Sequence, residues 1–287
     1  MSRRDWLLIN LNSSKIACFF FLIFFLTGSL HASDISKGFQ YYDTSQYRRA
    51  YQHFIRPSAK NDAEVQRRLG WMYSTGSGVK KDYVKAMQWY IKSAVQGNAH
   101  AQFDIGTLYE HGEGVKQNYE KALLWYRYAA EKGYAPAQYN LGVFCEKGYG
   151  ISQDYFQARQ WYQKAADQGD TSALSNLGVL YSRGLGGETD YHKAFELYKK
   201  AAEKGDFAAQ YNLAEYYRAG LATPQDLDKA IYWYEKSAAQ GTVKAMEKLS
   251  AIYRDGWKHI PANKALSDEW AQKAASARAK EQAESQK

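Results

Sequence analysis

NAHAQFDIGTLYEHGEGVKQNYEKALLWYRYAAEKG, residues 98–133, holds the pattern from which most of the chain is built. Six copies lie end to end between about Asp62 and Ala277, and only the last departs from register. Glycines close successive copies at Gly97, Gly133, Gly169, Gly205 and Gly241, each 36 residues after the one before. A second column runs Leu69-Gly70, Ile105-Gly106, Leu141-Gly142, Leu177-Gly178, Leu213-Ala214 and Leu249-Ser250. A third runs Trp89-Tyr90, Trp125-Tyr126, Trp161-Tyr162, Leu197-Tyr198 and Trp233-Tyr234, and alanines recur at Ala86, Ala122, Ala158, Ala194 and Ala230. Columns of unlike chemistry that share one period mark a stack of repeated units.

Each copy predicts two antiparallel helices. Helix A of the quoted copy runs from about Ala99 to Glu110, with Ala101, Ile105, Leu108 and Tyr109 at helical spacing. The turn Gly112-Glu113-Gly114-Val115 follows, and Gly76-Ser77-Gly78-Val79 and Gly148-Tyr149-Gly150-Ile151 repeat it. Asn118 is placed to cap helix B, as are Asp82, Asp154, Asp190 and Asp226. Helix B ends at Glu131 or Lys132 before a left-handed Gly133. A glycine inside helix A costs about 1 kcal/mol relative to alanine. Its column becomes Ala214 and then Ser250, so smallness is what it keeps, and helix B is expected to cross closely there.

The units resemble Sel1-like repeats, relatives of the tetratricopeptide repeat. The run Ala137-Gln138-Tyr139-Asn140-Leu141-Gly142 carries the resemblance, with the glycine turns, the capping Asp or Asn, Lys-Ala, Trp-Tyr and the alanine pair before the closing glycine. The resemblance implies an all-α fold, a right-handed α-α superhelix (solenoid) of stacked antiparallel helix pairs, acting as an adaptor or scaffold and often exported by bacteria. Three departures stand out. Cys145 replaces a tyrosine, Leu197 replaces a tryptophan, and Gly220-Leu221-Ala222-Thr223-Pro224 replaces the usual turn, predicting a differently shaped loop.

The domain reading follows the period. Residues 1–33 form an export signal, or an uncleaved anchor; residues 34–61 a tetratricopeptide-like capping hairpin; and residues 62–97, 98–133, 134–169, 170–205 and 206–241 five regular repeats. Residues 242–278 form a degenerate sixth repeat with a capping helix, and 279–287 a polar tail that frays after about Lys280. In the signal, Arg3, Arg4 and Lys15 precede the apolar run Ile16–Leu26, which is short for a membrane span of about 20 residues but suits a secretory h-region. Cleavage fits after Ser29 or Ala32, and the general secretory route fits better than the twin-arginine route. In the capping hairpin, Thr44 or Ser45 is expected to cap a helix carrying Tyr47, Ala50 and Phe54.

Composition narrows the function. The net charge of +8 falls to +6 without residues 1–33, and acids are interspersed with the lysines on the outer side of helix B, such as Lys85, Lys121, Lys193 and Lys229. That is a solvated face rather than a nucleic-acid stripe, although net positive charge favours association with anionic envelope polymers or lipid. Aromatics make up 16% of the chain and sit mostly at repeat columns, so core packing explains them. Cys145 is the one cysteine left in the mature chain and falls in a core column. The histidines are scattered; His100 and His111 share a helix but lie roughly 16 Å apart at 1.5 Å per residue. No metal, cofactor or catalytic motif is expected.

The expected site is a protein-binding surface. In tetratricopeptide-like solenoids helix A lines the concave face, which leaves the columns of positions 100, 103, 107 and 110 for a partner. Arg67, Trp71, His100, Phe103, Thr107, Tyr139, Val143, Tyr211 and Glu215 are the candidates, with Arg67 and Trp71 the most atypical of their columns. Phe103, Tyr139 and Tyr211 are equally consistent with packing between units. The function expected is an exported scaffold without catalysis, binding a protein or peptide, with an envelope component possible as partner and membrane contact only through the N-terminal segment. The alternative is a peptidoglycan-binding or hydrolytic envelope protein. A cytoplasmic adaptor requires that the N-terminal segment not export the chain.

Overall fold

The computed structural model describes residues 34–285, and the expected signal segment lies outside them. The fold is all-α, as the period predicts, with fourteen helices among the described residues. Two compact units divide the chain after Lys132. The first contains helix α1 (34–43), α2 (Tyr47–Phe54), α3 (Ala63–Thr75), α4 (Tyr83–Val95), α5 (Ala99–His111) and α6 (Tyr119–Glu131). The second contains α7 (Ala135–Lys147), α8 (Tyr155–Asp167), α9 (Thr171–Arg183), α10 (Tyr191–Glu203), α11 (Phe207–Ala219), α12 (Leu227–Ala239), α13 (Val243–Asp255) and α14 (Lys264–Ser285). Within each unit, paired helices pack as hairpins and each hairpin packs on the next.

Local chemistry sets the helix ends. Asp82, Asn118, Asp154, Asp190 and Asp226 each accept a hydrogen bond from the backbone N–H three residues on, capping the B helices. Asp62, Asn98, Asp170 and Asp206 do the same for A helices. The turn glycines Gly112 and Gly114 have φ of 72° and 71°. The turn at Gly220 proves to keep the common path rather than the different shape its sequence suggested. Ala222 takes φ 59° at the place of the second glycine, a left-handed conformation that costs a residue with Cβ about 1 kcal/mol.

The small column in helix A is explained by the tyrosine of helix B. A Cβ added to Gly106 would lie 2.6 Å from the Tyr126 ring, and one on Gly142 would lie 2.4 Å from Tyr162. Gly70 and Gly178 meet Tyr90 and Tyr198 in the same way. The close approach buries Tyr126, Tyr162 and Tyr234 completely. The tryptophans beside Tyr90, Tyr126, Tyr162 and Tyr234 are only half-buried, and lysines stack on two of them, Lys92 at 4.2 Å over Trp89 and Lys164 at 4.0 Å over Trp161. Cys145 is a buried thiol.

A second ladder is polar. Gln66, Gln138 and Gln210 are buried, and each accepts from a glutamine 30 residues on: Gln96 at 2.8 Å, Gln168 at 2.7 Å and Gln240 at 2.9 Å. In the second repeat the partner position holds Lys132, whose ammonium bonds the Gly97 carbonyl and leaves the buried Gln102 Oε1 without a hydrogen bond. Gln240 bonds both Gln210 and the equivalent carbonyl of Gly205, so one glutamine serves both acceptors. Lys132→Gln is therefore expected to stabilise the first unit by about 1 kcal/mol, the cost of one buried unsatisfied acceptor. Urea unfolding measures it, and an unchanged or lower midpoint would contradict the ladder.

Both ends depart from expectation. Gln46, rather than Thr44 or Ser45, stands at the N-cap of α2 and makes no side-chain cap bond. Thr44 instead donates back to the Gln40 carbonyl at 2.8 Å, closing α1, while Ser45 takes φ 59° to turn the chain. At the other end, Trp257 and Ile260 exchange backbone hydrogen bonds in place of the glycine turn. The last helix does not stop near Lys280 but continues to Ser285. Alanine, lysine, glutamate and glutamine fill its end, and all are strong helix formers.

Candidate functional site

The candidate residues stand on helices α3, α5, α7 and α11, and their surroundings differ by column. At the column of position 100, Glu64 is half-buried and His100, Ser172 and Lys244 are exposed. At the next column, Phe103, Tyr139 and Tyr211 lie on the buried tyrosines of their partner helices, with ring centroids 5.3, 5.8 and 5.8 Å from Tyr126, Tyr162 and Tyr234. They roof the interlock between helices A and B, leaving one side half-exposed. Thr107 is half-buried and donates to the Phe103 carbonyl at 3.2 Å, and Val143 is half-buried beside the core of the second unit.

Trp71 and Arg67, the atypical pair, are both engaged. Trp71 packs against Tyr42 and Tyr47 of the N-terminal hairpin, each with ring centroids at 5.3 Å. Arg67 donates to Glu64 at 3.0 Å, and its guanidinium lies 3.7 Å from Asp104. Glu64 also pairs with Arg68 at 2.8 Å and accepts from Asn98 at 3.1 Å. Arg68 in turn lies over the Tyr42 ring at 4.7 Å. The first unit thus carries a charged cluster on this face at positions where repeats three to five carry neutral residues.

Electrostatics separate its two acids. Burial raises Glu64, but hydrogen bonds from Arg67, its charge and the bond from Asn98 outweigh that and hold the carboxyl below its usual range. Burial pushes Asp104 up to about 6 against the pull of Arg67, and its Oδ2 has no hydrogen-bond partner. The equivalent residues in repeats three to five are Asn140, Asn176 and Asn212.

A raised folded-state pKa means that protonated Asp104 favours the fold. Its contribution is present below the unfolded value of about 3.9 and is lost as pH rises through about 6. Asp104→Asn is expected to stabilise the first unit by about 1–2 kcal/mol at pH 7 and to change nothing near pH 4. Denaturant unfolding at the two pH values checks both signs; destabilisation at pH 7 would mean that the Arg67 pair outweighs burial.

In the second unit Glu215 gathers three donors: Arg218 at 2.6 Å, the Tyr234 hydroxyl, and Lys248 at 3.1 Å. Burial raises its pKa, and these bonds together bring it below the usual value. A wider rule emerges, which column reading had missed. The hydroxyl of each interlocking tyrosine reaches a side chain on helix A: Ser74 from Tyr90, Glu110 from Tyr126 and Glu146 from Tyr162. In the fifth repeat Arg218 occupies that position and offers no acceptor, and Glu215 takes the role. The signal was a spacing of 16 residues between a tyrosine and a Ser or Glu, visible only once the tyrosine is known to cross the helix. Among the described residues no group of three His, Cys, Asp or Glu side chains is placed to hold a metal ion.

Six consecutive matches to the family model for the Sel1 repeat span residues 63–98, 99–134, 135–170, 171–206, 207–242 and 243–278. Among solved structures, a Sel1 repeat protein from Oxalobacter formigenes is 38% identical, with a TM-score of 0.75, over 84% of this chain and 96% of that one. A protective antigen present in uropathogenic Escherichia coli strains is 30% identical, with a TM-score of 0.69; the match covers 86% of this chain and 61% of that protein. No curated protein sequence matches the chain.

Proposed function

The chain belongs to the Sel1 repeat family, whose members are generally protein–protein interaction scaffolds, and from that premise we propose that it is an exported scaffold binding a protein or peptide on its helix-A surface, without catalysis of its own. The carrying observation is the contrast between columns. Leu69, Ile105, Leu141, Leu177, Leu213 and Leu249 repeat and are buried. Glu64, His100, Ser172 and Lys244, one column over, change chemistry from repeat to repeat. Exposed positions whose chemistry varies from repeat to repeat are available for recognition, and a helical surface of this kind suits an extended segment or a helix. A polar cluster in each unit, Glu64 with Arg67 and Asp104 in the first and Glu215 with Arg218 and Lys248 in the second, supplies orientation and specificity. Export rests on the basic residues and apolar run before Leu26.

The competing reading is an envelope enzyme. Hydrolysis of a glycan calls for two carboxylates facing one another across a cleft. Glu64 and Glu215, held below the usual range by cations, are instead engaged as ion-pair partners. Incubation of the purified protein with insoluble cell wall separates the readings. The scaffold reading expects no soluble fragments; time-dependent release of fragments would overturn it.

A further inference from the structure

The outer side of α4 differs from that of every other regular B helix. Val84, Ile91 and Val95 stand out from it with 54%, 41% and 74% of their surface exposed. They share one helix face, and spacings of seven and four residues align them into a stripe. The equivalent residues are Glu120, Arg127 and Glu131 in α6, His192, Lys199 and Glu203 in α10, and Asp228, Glu235 and Ala239 in α12, while α8 has one exposed apolar residue there, Phe156, beside Gln163 and Asp167.

The same segment carries a cationic margin. Lys80, Lys81, Lys85 and Lys92 are all exposed, and Asp82 is the one acid between residues 80 and 95. Lys85 lies 3.4 Å from Asp82, yet more than half of its side chain remains exposed. Basic residues exceed acidic ones by five in residues 34–132 and by one in residues 133–287, so the positive charge is concentrated in the unit that bears the stripe. Exposed aliphatics beside a lysine-rich margin form the arrangement of a helix that lies in a membrane interface. That charge disfavours a second copy against this face, because the two lysine margins would meet; it favours an anionic partner.

We propose that the outer face of α4 docks the first unit on an anionic lipid bilayer, with Val84, Ile91 and Val95 entering the headgroup boundary and the lysines meeting lipid phosphates. The contact is peripheral. Among the described residues no helix is long and apolar enough to cross a membrane. The attachment leaves the opposite, helix-A side of the unit free for its partner.

The test reads the position of contact rather than binding alone, because the apolar run Ile16–Leu26 can itself bind lipid. An environment-sensitive fluorophore is placed on the full chain at Val95→Cys or, as control, at Glu203→Cys, in a Cys18→Ser, Cys145→Ala background. Vesicles are phosphatidylcholine alone or with phosphatidylglycerol, and doxyl-labelled lipid serves as quencher. Quenching at position 95 on anionic vesicles, with none at 203, is expected. Lys80→Glu with Lys81→Glu and Lys85→Glu is expected to reduce it at least ten-fold, at roughly 1 kcal/mol per lysine near an anionic surface. No quenching at 95, or equal quenching on neutral vesicles or at 203, would overturn the proposal. So would a blue shift at 95 that grows with protein concentration in the absence of vesicles, which would assign the stripe to a second copy.

Discussion

Tyr162→Ala is expected to cost the second unit about 3–5 kcal/mol, the range for truncating a large aromatic in a packed core. The Tyr162 ring is wholly buried beneath helix α7. Its hydroxyl donates to Glu146 at 2.8 Å and accepts from Asn176 at 3.2 Å. Removing it opens a cavity between helices A and B of one repeat and withdraws a partner from both polar groups. Tyr162→Phe separates the two contributions. It keeps the ring and loses the hydroxyl, and about 1.5–3 kcal/mol is expected, the net worth of a hydrogen bond to a charged group. Denaturant unfolding of the variants measures both. A loss below about 1 kcal/mol for the alanine variant would mean that the ring does not hold the hairpin.

Gly142→Leu attacks the same contact from the other helix. Leucine is a better helix former than glycine, so the exposed-helix expectation is a gain of somewhat under 1 kcal/mol. The expected result is instead a loss of about 3 kcal/mol or more, because even a Cβ would lie 2.4 Å from the Tyr162 ring. The double variant Gly142→Leu with Tyr162→Ala is expected to recover part of the combined loss, since the leucine fills the space the ring vacates. A coupling energy of at least 1 kcal/mol is the signature of direct contact. Additive losses would contradict it. The fifth repeat already carries a milder form of the exchange, with Ala214 over Tyr234.

Much of this was legible in the sequence because the repeat supplies internal controls. Asp82, Asn118, Asp154, Asp190 and Asp226 sit at one place in the period, and they cap one helix end. The glycine of helix A was readable as a close crossing because Ala214 and Ser250 replace it without changing its size class by much. What sequence could not supply was the partner across the crossing. Gly142 and Tyr162 are 20 residues apart, and their periodicity is shared by every other column.

Legibility fails where the repeat meets something unrepeated. Trp71 departs from its column because Tyr42 and Tyr47, in the N-terminal hairpin, pack on it, and no later repeat has such neighbours. The turn at Gly220 lacks the second glycine but keeps the path, because Ala222 tolerates the left-handed conformation under the constraint of the flanking helices. Lys132 shows the reverse case. The substitution is visible in the period, but its consequence, a stranded Gln102 Oε1, becomes visible only with the glutamine ladder in place.

The helix-A surface as the partner-binding face is the claim on which the functional account stands. Site-specific photocrosslinking in the native cell tests it most directly, with the probe at His100 in the first unit or Tyr211 in the second, and a control probe at the exposed Lys199 on helix α10. The account predicts a discrete protein adduct from His100 and Tyr211 and none from Lys199. An adduct from Lys199 alone, or equal labelling at all three positions, would contradict it and move recognition away from the helix-A face.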